Sequence, residues 1–204
     1  MCLLLGTMAL LLSRPSGQRV YYQDGQYLVN VRYGQWHDLR DFIQPSNPNV
    51  LAVYYGIGPD SWALYDFVCR NINYRSDVGE FWQTPSETLE GYGDCEDTSI
   101  LLTSLIRAGG APNCYVALGS LGNGQENYGH AWCQLNGQIL ETTFTSARVV
   151  LNPAQYCPYV LFDNEQVIEL WPGALGEVFK VARDESLKLS LIAQALGAKD
   201  VFQN

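Results

Sequence analysis

Basic residues are scarce in this chain: 12 Lys and Arg stand against 21 Asp and Glu, for a formal net charge of −9 over 204 residues. No Lys/Arg cluster or basic stripe interrupts that balance, so DNA and RNA are repelled overall and nucleic acid is excluded as the expected partner. The acidic excess selects no partner of its own and reads as a solubility feature. Cysteine pairs at C-x-x-C spacing are missing. The six Cys (Cys2, Cys69, Cys95, Cys114, Cys133, Cys157) are scattered, which excludes a zinc ribbon or finger. Their even number allows a disulfide framework, yet a chain of this length with an ample core needs none, and most of them read as small buried apolar side chains. Histidine occurs only as His37 and His130. No apolar run reaches the roughly 20 residues that a membrane helix needs, so no integral span is expected. Repeats, low-complexity tracts and the compositional marks of disorder are absent as well.

Apolar residues make up 47% of the chain and charged residues 16%, with 13 Tyr, 7 Phe and 5 Trp. That is enough apolar material for one sizeable core, hence one domain with appendages. Residues 1–17 form an apolar segment and linker, 18–175 the main domain and 176–204 a C-terminal helical extension. Residues 1–12 are nearly all apolar but have no basic n-region. Three readings stay open: a truncated anchor or export signal starting upstream, a weak export signal, or a first helix packed on the body. The abrupt break into Ser13-Arg14-Pro15-Ser16-Gly17 favours the first two, and with them an exported or membrane-anchored location.

Moderate alternation over 20–43 suggests extended structure or a hairpin turning at Asp24-Gly25. His37, after Trp36, reads as a surface residue in a loop. Pro45-Ser46-Asn47-Pro48 is a loop. Trp62, Leu64, Tyr65, Val68, Cys69 and Ile72 recur at helical spacing after a cap at Asp60 or Ser61, predicting a helix over 60–73. Residues 81–89 lead through a loop into a helical turn with Pro85 near its start. A helix begins at about Cys95, buries Ile100, Leu101, Leu102, Leu105 and Ile106, and stops at Gly109-Gly110-Ala111-Pro112. Strands follow at 113–119, 130–135 and 138–143, the last two joined by the hairpin signal Asn136-Gly137. Further strands are expected at 159–162 and 166–170 and a helix at 185–196. Helices followed by an antiparallel meander make the fold α+β.

The chemistry concentrates at Gly93-Asp94-Cys95-Glu96-Asp97. A thiol at a helix N-terminus gains from the dipole and from unpaired N–H groups, which can also hold an oxyanion. Asp94, Glu96 and Asp97 oppose this, because neighbouring negative charge disfavours a thiolate. Cys95 therefore needs a cationic partner, and His130, opening a strand after a Gly-rich loop, can take its proton and return it to a leaving amine. The imidazole needs an acceptor behind it. Pairing across Asn136-Gly137 sets Leu135 against Gln138 and Trp132 approximately against Glu141, so His130 meets Glu141 diagonally. Alternation sends Ala131, Cys133 and Leu135 to the other face, which argues against a metal site of Cys95, Cys133 and His130.

Trp82-Gln83-Thr84-Pro85, Gly93-Asp94-Cys95-Glu96-Asp97, Leu105-Ile106-Arg107-Ala108-Gly109-Gly110, Gly129-His130-Ala131-Trp132 and Leu140-Glu141-Thr142-Thr143 together resemble the transglutaminase-like superfamily. The likeness covers residues 60–145. It implies a papain-like cysteine proteinase fold in which the helix carrying the Cys packs on an antiparallel sheet carrying the His and the acid. It implies Cys95 as nucleophile and His130 as base, with Glu141 where the family usually has Asp. Some bacterial members bind calcium near the active Cys. Asp94, Glu96 and Asp97 accordingly have two readings, helix-start carboxylates or a Ca²⁺ site; otherwise no cofactor is expected. Gln83 or Tyr92 could donate to an oxyanion, and Trp82 and Trp132 read as cleft walls or core. The expected function is hydrolysis of a protein or peptide amide through a thioester. Protein crosslinking by transamidation and an inactive, protein-binding member of the family are the alternatives.

Overall fold

Asn136 and Gly137 both adopt positive φ (50° and 82°), the backbone of a type I′ turn whose twist matches that of the flanking strands. This turn closes β7 (Asn127–Leu135) onto β8 (Gln138–Leu140) with Leu135 opposite Gln138 and Cys133 opposite Leu140, the register expected from sequence. The computed structural model describes residues 19–77, 80–122, 126–181 and 192. The apolar segment 1–17 and nearly all of the expected 185–196 helix lie outside them. Ile192 is the described residue of that helix, and it is buried in the core.

A second hairpin turns at Asp24-Gly25 between β1 (Val20–Gln23) and β2 (Gln26–Arg32), and β3 (Gln35–Asp38) completes a three-stranded sheet. His37 therefore sits in a strand, opposite Val29, with its ring edge-on to Phe42 and a buried Nε2, rather than in a surface loop. After the expected 45–48 loop comes a helix that periodicity did not reveal, α1 (Pro48–Ile57). Asn47 caps it by accepting from the Asn49 N–H, and Pro48 supplies the first turn. Val50, Val53, Tyr54 and Ile57 turn to the core, but Leu51, Ala52 and Tyr55 make the other side apolar too, so no contrast between two faces betrays the helix. The next two helices follow the sequence reading: α2 (Ser61–Asn71), capped by Asp60, and α3 (Pro85–Thr88).

The central helix α4 (Cys95–Ala108) is buried at every position from Cys95 to Ile106. Its leucines and isoleucines enter two cores: one shared with α1, α2 and side chains such as Ala117, Leu121, Trp132 and Leu140, the other with Trp82, the N-terminal sheet, Val160 and Phe162. A helix buried all round must satisfy its polar side chains internally. Ser104 donates to the Ile100 carbonyl and accepts from Gln44 N–H, while Thr98 and Ser99 hydrogen-bond Thr142.

The main sheet is antiparallel, in the order β10-β9-β6-β7-β8, with β6 (Cys114–Gly122), β9 (Tyr156–Phe162) and β10 (Val167–Glu169). It is not the simple meander expected. The chain leaves the sheet after Leu140, and Glu141 turns inward into a buried position. The chain then returns along the free edge of β6 instead of continuing beside β8. A short parallel pair, β4 (Asn73–Tyr74) with β5 (Tyr92–Gly93), ties the end of α2 to the start of α4. Helix α5 (Ala174–Val178) buries Ala174, Leu175 and Val178 in the core shared with β9. Thus a Cys-bearing helix packs on an antiparallel sheet that carries the His and the acid, an α+β fold of papain-like type. Among the described residues no helix is long and apolar enough to cross a membrane.

Candidate active site

Cys95 is the first residue of α4 and is 2% exposed. Asp97, in the first turn, clamps the approach to the helix. Its Oδ1 accepts the Gln83 N–H at 2.8 Å and its Oδ2 the Asp94 N–H at 3.1 Å, a capping arrangement that fixes where the helix starts. Burial nevertheless pushes the Asp97 carboxyl up to about 8, aided by Glu96 and Asp77 and opposed by those two N–H groups. Asp94 is pushed well above the carboxylate range, first by burial and then by Glu96 and Asp97. Asp77, from the loop before α3, is raised by burial and by Glu96. Asp94 and Glu96 therefore crowd the thiol, and Asp97 and Asp77, the latter given no role in the sequence reading, add their charge to the same acidic cluster. The Cys95 thiol itself donates to Glu96 Oε2 at 2.7 Å.

His130 lies in β7, 4% exposed. Its Nε2 meets Glu141 Oε2 at 2.7 Å, and both side chains are fully buried. The diagonal contact expected from the hairpin register is therefore made, although Glu141 stands one residue beyond the end of β8. Burial alone would raise the Glu141 carboxyl. The His130 charge and the hydrogen bonds from His130 and Thr143 outweigh it and hold the group below its usual value. A carboxylate accepts only, so Nε2 carries a proton in this contact, and whenever the ring is neutral its lone pair lies on Nδ1. That Nδ1 is buried and without a hydrogen-bond partner. The Cys95 sulfur is turned to Glu96. The first turn of the Cys helix is nevertheless tied to the residue after the acid, since Thr98 and Thr142 share a hydrogen bond at 2.8 Å.

The remaining candidates separate. Gln83 is 7% exposed, with its N–H committed to Asp97 and its Oε1 unpartnered. Trp132 stands beside His130 with ring centroids 6.0 Å apart, its Nε1 also unpartnered. Trp82 is core rather than cleft wall: it is 1% exposed, packs on Phe42, Phe162 and Phe179, and donates its indole N–H to Glu80. Tyr92, in β5, carries the Arg75 guanidinium 3.5 Å over its ring. Cys133 faces Cys114, sulfur to sulfur 3.7 Å, so the metal reading through Cys95, Cys133 and His130 fails. The group of metal-capable side chains found among the described residues is instead Asp94, Cys95 and Glu96, whose ligand atoms lie within 4.8 Å of one another.

Two residues to which the sequence reading assigned no role complete the acid's surroundings. Thr143 gives its N–H and hydroxyl to Glu141 Oε1 at 3.1 and 2.8 Å, and the Tyr156 hydroxyl donates to Oε2 at 2.9 Å. Thr143 was visible two residues from Glu141. Tyr156 was not, because only the placement of β9 beside β6 brings it there.

No curated protein matches the chain. Among solved structures, calcium-bound LapG of Legionella pneumophila is similar at 19% identity over 70% of this chain and 84% of its own, with a TM-score of 0.45. EGTA-treated LapG gives 18% identity over 77% and 84%, with a TM-score of 0.46. A candidate cysteine protease from Cytophaga hutchinsonii gives 19% over 63% of this chain and 52% of its own, with a TM-score of 0.41. The family model of the transglutaminase-like superfamily matches residues 61–138, from the start of α2 to the first residue of β8 and so across both Cys95 and His130. Over that span the chain is similar to the transglutaminase-like superfamily.

Proposed function

We propose that the chain is a cysteine-dependent acyl-transfer enzyme that hydrolyses protein or peptide amides. The observation that carries this reading is the buried His130–Glu141 pair at 2.7 Å, which leaves the Nδ1 lone pair without a partner. A base poised in this tautomer removes the Cys95 proton once the thiol turns from Glu96 toward it. The thiolate adds to the amide carbonyl, and N–H groups at the start of α4, with Gln83 as the side-chain candidate, face the developing oxyanion. The imidazolium returns its proton to the leaving amine, giving a thioester. Water, deprotonated by His130, then releases the acid and restores the thiol.

The carboxyl groups around Cys95 suit a calcium ion. They offer hard oxygen donors from Asp94 and Glu96, with Asp77 beside Glu96, and Asp94 Oδ1 is buried without a hydrogen-bond partner. Asp97 fits this role less well, because both of its oxygens already serve backbone N–H groups. When bound, the ion supplies positive charge that offsets the carboxylates beside the thiol.

Iodoacetamide alkylation of Cys95 across pH, with Cys95→Ala as the control, tests the reading. A thiolate–imidazolium pair alkylates rapidly well below the pH at which a free thiol ionises, and His130→Ala removes that low-pH reactivity. Slow alkylation of Cys95 in the wild type near neutrality, unchanged by His130→Ala, sinks the proposal.

A further inference from the structure

Glu141 is held by more donors than an orienting acid requires. Thr143 alone fixes Oε1 through two hydrogen bonds, and the Tyr65 hydroxyl from α2 donates to the Glu141 backbone carbonyl at 2.9 Å. Tyr156 ends on Oε2, the same oxygen that receives His130 Nε2. Its ring lies 6.0 Å from the His130 ring and edge-on to Trp132 at 5.1 Å, wedged against the side of the sheet that presents the imidazole. Burial and the Glu141 charge push its hydroxyl upward, so it stays a donor at any working pH. The other titratable groups here, Tyr65 and Cys69 from α2, address the backbone carbonyl of Glu141 rather than its carboxylate. Burial raises both, the thiol to about 12, so neither adds charge near neutrality.

We propose that Tyr156 is a positioning residue that shares the Glu141 oxygen with His130 and thereby sets how tightly the acid holds the imidazolium. The proposal rests on reading His130 as the base. A carboxylate oxygen divided between two donors offers each less than it would offer one. With Tyr156 in place, the imidazolium is oriented yet gives up its proton readily to a leaving amine. Without it, all of that oxygen's basicity falls on His130, in a site too dry for water to replace the lost donor. The imidazolium is then over-stabilised and becomes a weaker acid.

With only two His in the chain, nitrogen-detected NMR titration of the rings is easily assigned, and His37 serves as an internal reference. Tyr156→Phe removes the donor and keeps the ring. The expected result is an upward shift of the His130 midpoint by about half a pH unit or more, with His37 unmoved, while Glu141→Gln shifts it downward. An unchanged or lowered His130 midpoint in Tyr156→Phe, or an equal displacement of His37, overturns the proposal. Should Tyr156→Phe fail to fold, the wild type carries the test: a protected Tyr156 hydroxyl proton close to His130 Nε2–H is expected, and its absence overturns the idea. The titration needs no turnover. An unreactive Cys95 would therefore sink the enzymatic reading without deciding this one.

Discussion

At position 141 a glutamate stands where the resemblance implies aspartate, and its surroundings are built to its length. The carboxylate reaches His130, Thr143 and Tyr156 at once, at 2.7 to 3.1 Å, from a backbone whose carbonyl is itself pinned by Tyr65. Glu141→Asp keeps the charge but withdraws it by one methylene, and so cannot keep all of these contacts. A misplacement on the order of 1 Å at a catalytic group costs up to about 10²-fold, and a loss approaching that is expected in the low-pH alkylation rate of Cys95. Glu141→Gln keeps the length but cannot stabilise an imidazolium, and a neutral amide in this role costs about 10⁴-fold in the triad template. Kinetics on the two variants check the ranking. If Glu141→Asp is as damaging as Glu141→Gln, charge without reach is worth nothing at this position. If neither differs from the wild type, Glu141 is not the orienting acid.

The site is held together by a few close contacts between elements, and one of them is a glycine. Gly119 in β6 pairs with His130 on one side and Pro158 on the other, at the point where the β6–β9 register shifts. A Cβ there would lie 2.1 Å from the Cys157 carbonyl oxygen, a backbone atom that no side-chain rotation can move away. Gly119→Ala therefore pushes β9, and Tyr156 with it, off β6. A destabilisation of about 1–3 kcal/mol is expected from overpacking of this kind, read by urea unfolding, whereas Gly137→Ala leaves this contact intact. Unaltered stability in Gly119→Ala would show that β9 yields without cost. This joint also marks where sequence reasoning stops. The α4 helix was legible because its cap, its apolar face and its Gly-Pro stop are local. The His130–Glu141 contact was legible because a two-residue turn fixes register arithmetically. Helix α1 hides because it is apolar on nearly every side and so shows no contrasting polar face, and Tyr156 hides because it reaches the site through sheet order, which neither periodicity nor spacing encodes.

Across the whole molecule, two groups of carboxylates pull the stability in opposite directions with pH. Glu87, bidentate with Arg32, is held down at about 2, chiefly by that hydrogen-bonded pair. It supports the fold above the normal carboxylate range and loses that support as pH falls from about 4.5 toward 2. Asp97 is pushed up to about 8 and Asp94 is raised beside it. Between their ordinary range and those raised values the folded state binds more protons than the unfolded one, so their contribution falls as pH rises, through about pH 8 for Asp97. The fold is thus expected to be most stable in mildly acidic solution. A calcium ion held by Asp94 and Glu96 would reverse the alkaline loss, because it takes the place of the protons the cluster otherwise retains. Thermal unfolding in calcium and in EGTA, at about pH 5.5 and about pH 8.5, separates the possibilities. The calcium increment in Tm is expected to be larger at the higher pH and to vanish in Asp94→Asn/Glu96→Gln. An increment that is equal at both pH values, or that survives the double substitution, places the ion elsewhere. No increment at all leaves the cluster as a set of buried, proton-sharing acids whose work is to hold the start of the Cys95 helix.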